Sequence, residues 1–80
     1  MSTMIRIHAQ WDADAAVWVA ESDDVPGLVT EAETFEALSA KLRILIPELL
    51  AENRPSLPSN DGFPFHISAE RDDFARLATG

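Results

Sequence analysis

At 80 residues and without a cysteine, the chain has room for one domain and has neither disulfides nor thiolate metal ligands to supplement a small core. Hydrophobic residues make up 46% and charged residues 25%, the balance of a folded soluble domain and not of a disordered chain. The formal net charge of −8 opposes binding to a phosphate backbone, and no apolar run approaches the roughly 18 residues of a membrane span. Stability must then come from packing or from self-association, and a homo-oligomer is expected.

Ile5, Ile7, Ala9 and Trp11 alternate with Arg6, His8 and Gln10, the period-2 pattern of a strand with one buried face. Asp12-Ala13-Asp14-Ala15 is a break rich in turn formers, and Ala16 to Ser22 reads as a second strand built on Val17, Trp18 and Val19. The two form an antiparallel hairpin whose register stays open. A four-residue loop would put Trp18 on the face of Ala9, a five-residue loop Val17 and Val19. Val25-Pro26-Gly27 is a turn, proline presetting φ and glycine accepting the positive φ of a type II turn, and Leu28 to Glu31 returns as a short third strand.

Thr34 is placed to cap a helix and Glu36 to complement its dipole. Phe35, Leu38, Leu42, Leu45, Ile46, Leu49 and Leu50 then recur at three- and four-residue spacing, one apolar stripe running to about Glu52. Pro47 removes the bond to the carbonyl of Arg43, so a kink or an early end is expected there. Asn53 to Gly62, with two prolines and two serines, reads as a loop. Phe63, Phe65, Ile67 and Ala69 make a fourth strand, at an edge because of Pro64, and the tail from Arg71 is expected to form one or two helical turns.

The order is β-β-β-α-β, an α+β domain spanning 1–80 with a core from about 4 to 70 and a tail from 71 to 80. It should consist of one mixed sheet packed on a single long helix. A right-handed crossover lays the fourth strand parallel to the first and gives the spatial order 3-2-1-4.

A strand ending at Asp24-Val25-Pro26-Gly27, a short strand leading through Thr30 to Thr34, and Phe35-Glu36-Ala37-Leu38 opening a helix together resemble the HicB-like antitoxin domain. That resemblance covers roughly Met4 to Glu52 and implies a partial ribonuclease-H-like fold. It also implies an antitoxin-like function, the masking of a small basic toxin that cleaves messenger RNA. The sequence departs from the family in having Ala32 where a glycine is frequent and in lacking the DNA-binding module that many members carry. It is most similar to the short, single-domain relatives.

All acids from Asp12 to Glu36, eight of the fourteen, lie in a stretch without one Lys or Arg. Asp12, Asp14, Glu21, Asp23, Asp24, Glu31, Glu33 and Glu36 are therefore the candidate residues for a basic partner, with Trp18 as an apolar anchor. Metal-dependent hydrolysis needs converging carboxylates, and the first strand, Met4 to Trp11, has none, so neither enzymatic activity nor a cofactor is expected. His8 and His66, on polar strand faces that the 3-2-1-4 order would bring side by side, are weak candidates for a metal. They motivate the alternative of a stand-alone homo-oligomer that binds a small ligand or a metal. Ala37, Ala40, Ile44, Pro47 and Ala51 form a second helix stripe opposite the leucines, a candidate oligomer face. The N-terminus Met1-Ser2-Thr3-Met4 lacks signal-peptide character, so a cytoplasmic location is expected.

Overall fold

The computed structural model describes residues 4–53 and 62–78. Its elements are β1 (Ile5–Asp12), β2 (Val17–Glu21), β3 (Val29–Ala32), α1 (Phe35–Asn53) and β4 (Phe65–Glu70). The four strands form one mixed sheet in the order β3-β2-β1-β4, with β1–β2 and β2–β3 antiparallel and β1–β4 parallel. The expected strand order, the parallel pairing of the last strand with the first and its edge position all hold.

The hairpin takes the four-residue alternative. Asp12 pairs with Val17 and Trp11 with Trp18, so Trp18 shares a face with Ala9. Two local features fix that choice. The Asp12 carboxylate accepts from the Asp14 and Ala15 amides at 3.1 and 3.3 Å, and the Ala16 amide donates to the Asp12 carbonyl at 2.8 Å. Ala16 closes the turn at φ 58°, which takes it out of the strand expected to start there. The second turn is as expected: the Leu28 amide donates to the Val25 carbonyl at 3.1 Å with Gly27 at φ 83°, and Val25 and Leu28 are both buried.

Ala9, Ala20 and Ala32 lie buried in the middle of the sheet, and their small side chains let Leu38, Leu42, Ile46 and Leu50 of α1 sink against it. Thr34 caps the helix as expected, its hydroxyl accepting from the Ala37 amide at 3.0 Å. Lys41 ties α1 to β3 by donating to the Glu31 carbonyl at 2.6 Å. Phe35 lies at the exposed margin of the stripe, while Leu45 and Leu49 are half-buried against the core.

The early end expected at Pro47 does not occur, since α1 runs on to Asn53. Ending the helix there would uncover Leu50, and burying one such side chain contributes about 1.5–3 kcal/mol, comparable to the roughly 3 kcal/mol proline costs. Pro47 and Arg43 are exposed, so water can reach the carbonyl left without its amide. The helical turns expected after Arg71 are absent. Residues 71–78 have no regular structure and are exposed throughout, since so short a segment does not hold a helix by itself. The loop expected between Asn53 and Gly62 falls, from 54 to 61, outside the described residues.

Candidate functional site

The sheet has two unlike faces. One carries Ala9, Ala20, Ala32 and the tryptophans and is covered by α1. The other presents Arg6, His8, Glu21, Glu31, His66, Ser68 and Glu70, with Val19 between them. Residues 12–36 carry eight acids and no base, and the six remaining acids are matched by the six Lys and Arg, so this stretch holds the entire net charge. The structure places that charge on the β2–β3 half of the molecule.

The acids divide between its two ends. Asp12 and Asp14 lie in the hairpin turn, with Glu33 and Glu36 beyond the end of β3 that pairs with Trp18. Glu21, Asp23 and Asp24 lie at the opposite end, and Glu31, opposite Val19, stands between. At about 3.3 Å per residue, the length of β2 separates the two groups by more than a Debye length at physiological salt. All eight are exposed, and none is in an ion pair among the described residues.

Two of them carry structural duties that their sequence positions did not reveal. Asp12 builds the hairpin turn. At the other end, β2 stops at Glu21 while β1 extends further, and loop side chains complete the ladder. The Arg6 amide donates to Asp24 Oδ2 at 2.8 Å, Ser22 Oγ donates to the Arg6 carbonyl at 2.6 Å, and the Asp24 amide donates to Ser22 Oγ at 3.0 Å. Both polar backbone groups of Arg6 are thus satisfied by side chains, as backbone groups at the end of a pairing require. The only signal in the sequence was a run of turn formers.

This ladder end lies at a cleft of about 430 Å³ on the open face, lined by Arg6 and His8 of β1, by Glu21, Ser22, Asp23 and Asp24 on the β2 side and by Ser68 of β4. Its size is in the range of small-ligand sites, and it offers carboxylates beside the Arg6 guanidinium. His8 Nε2 lies 3.3 Å from Glu70 Oε1. The strand order does bring the histidine strands together, but His8 registers with Ser68 and His66 with Arg6, so the two imidazoles are only diagonal neighbours. Among the described residues, no three His, Cys, Asp or Glu side chains gather as metal ligands.

Trp18 is on the helix side of the sheet, away from the cleft. It stacks edge-on with Trp11 at 5.4 Å and with Phe35 at 6.0 Å between centroids, and the Arg71 guanidinium lies 4.3 Å from the Trp11 ring centroid. Both tryptophans are half-buried, so Trp18 packs on one side and keeps part of its surface accessible. Ala37, Ala40, Ile44 and Ala51 are exposed on the outer side of α1, Ile44 at 62%.

The family model of DUF1902, a domain of unknown function, matches residues 4–78. The chain belongs to that family. This DUF1902 domain is also similar to a hypothetical protein, TTHA1013, from the extremely thermophilic bacterium Thermus thermophilus, whose crystal structure superposes with a TM-score of 0.68. The identity is 45%, over 94% of this chain and 100% of the Thermus chain. Comparison with curated proteins gave no match. Among the described residues, no helix is long and apolar enough to cross a membrane.

Proposed function

We propose that this DUF1902 chain is a cytoplasmic, non-enzymatic protein-interaction domain of HicB-like, partial ribonuclease-H-like fold that masks a small basic partner, an RNA-cleaving toxin in its specific form. The observation that carries this reading is the placement of the whole net charge on the exposed β2–β3 half. Fields of one sign raise encounter rates with oppositely charged partners and reject like-charged ones. The cleft adds a point of engagement, because Glu21 and Asp23 can receive a Lys or Arg side chain that a flat acidic surface would hold only loosely.

The test is capture of the tagged chain with its partners from its native cells, washed at low and then high salt, followed by kinetics with the retained protein. A small basic protein released by salt, whose RNA cleavage the added chain suppresses, is the expected result. Glu21→Lys with Asp23→Lys should slow association about tenfold and flatten its salt dependence, with dissociation changed less. Asp24 is left intact because its carboxylate holds the Arg6 amide. Association unchanged by that double reversal would remove the acidic cleft from the mechanism, and recovery of the chain alone would overturn the masking role.

A further inference from the structure

We propose that two copies of this chain pair antiparallel along the outer edge of β4, each laying its arm, residues 71–78, on the other. The isolated chain leaves an unusual amount uncovered. Its accessible surface is 6203 Å², against roughly 4,800 Å² for a compact monomer of 8.8 kDa. Its radius of gyration is 15.7 Å, against about 12 Å for a compact domain of this length. The excess surface exceeds the roughly 800 Å² that each partner contributes to a standard interface. Part of it is the arm, where Phe74 and Leu77 are 80% and 82% exposed.

Three features point to a second copy as the occupant. The first is edge chemistry. The β3 edge is four residues long, carries Glu31, and has its Glu31 carbonyl taken by Lys41, all of which discourage pairing. The β4 edge is longer, six residues with no Lys or Arg and its one acid, Glu70, at the very end, and among the described residues it pairs only with β1. The second is charge. Two chains of net charge −8 must meet away from residues 12–36, and residues 62–78 hold three acids and two arginines, close to balance. The third is cover. α1 packs over β2 and β3, so Phe63, Phe65 and Ile67 stay only half-buried. In an antiparallel pair each arm continues past the start of the other strand, where Phe74 and Leu77 can lose their exposure against the partner.

The Ile5 amide donates to the Pro64 carbonyl, so by the alternation of a parallel ladder the amides of residues 65, 67 and 69 point outward. Ala69→Pro therefore removes an edge donor without an intrachain bond, and Phe74→Asp with Leu77→Asp alters side chains that lie outside every element. Sedimentation equilibrium of the full chain should give twice 8.8 kDa, and each variant should weaken the dimer about a hundredfold or more with an unchanged far-ultraviolet spectrum. A monomeric parent at about 100 μM, roughly a hundred times a 1 μM dissociation constant, overturns the proposal, as does a dimer that survives Phe74→Asp with Leu77→Asp. A dimer broken instead by Ile44→Asp would move the interface to the outer side of α1. A dimer retained by a folded Ala69→Pro variant would overturn the strand pairing. None of these outcomes depends on the acidic half or on its partner.

Discussion

Ala16 and Gly27 both sit at positive φ, and sequence supplied a glycine at only one of them. A side chain in the left-handed region costs about 1–2 kcal/mol, while glycine loses about 0.5–1 kcal/mol more backbone freedom on folding than alanine. Ala16→Gly should therefore raise unfolding stability by about 0.5–1 kcal/mol, and Gly27→Ala should lower it by about 1 kcal/mol. A Cβ on Gly27 meets open space, so backbone conformation alone drives the second change. Urea unfolding of both variants checks the pair, and equal signs for the two would mean that the hairpin turn relaxes out of the left-handed region. The same residue shows where reading from sequence stopped. The Asp12-Ala13-Asp14-Ala15 break located the turn, but its length depended on Ala16 accepting a conformation that alanine seldom takes. The ladder bonds of Ser22 and Asp24 to Arg6 were hidden for another reason: they join residues 16 and 18 apart, and no local pattern marks them.

At the scale of elements, periodicity and handedness carried most of the fold. Alternation gave β1 and β4, the leucine spacing gave α1, and the right-handed crossover gave the neighbour of β1. Propensity alone misjudged two helical segments, in opposite directions. At Pro47 it predicted a kink or an early end, and the early end does not occur because Ile46 and Leu50 on either side are buried. Beyond Arg71 it predicted helix, and a segment this short does not hold one by itself. Pro47→Ala should therefore stabilise the chain by about 1–2 kcal/mol, less than the full cost of an interior proline because the unfolded chain regains freedom and the helix face at Arg43 and Pro47 is exposed to solvent. Chemical denaturation with helicity followed by circular dichroism measures this. A loss of stability would show instead that the proline sets the angle at which Leu50 meets the sheet.

For the whole molecule, the separation of charge from apolar edge matters more than any single contact. The candidate acids were legible from sequence as a run, but their division between the two ends of β2–β3 required the register, and Trp18 required the knowledge of which face it shares with Ala9. With eight carboxylates and no base in residues 12–36, folding gathers like charges that the unfolded chain holds further apart. Raising salt from 0.01 M to 0.15 M shortens the Debye length from about 30 Å to about 8 Å and should relieve that repulsion. Among the described residues, the Arg71–Asp73 ion pair and the His8–Glu70 contact are exposed and contribute little that salt could remove. The melting temperature should rise by about 2–4 °C over this range, the response of a domain this small to roughly 0.5 kcal/mol. Because screening also favours association, the comparison belongs in the Phe74→Asp, Leu77→Asp background, where the arm contributes least. Adding Glu31→Gln and Glu33→Gln to that background should flatten the rise, since both carboxylates lie within the charged stretch and neither makes an ion pair among the described residues. A melting temperature that stays flat or falls with salt in the Phe74→Asp, Leu77→Asp background with the eight acids intact would show that the carboxylates are too well solvated to repel one another, leaving the acidic half free to act on a partner without a cost to the fold.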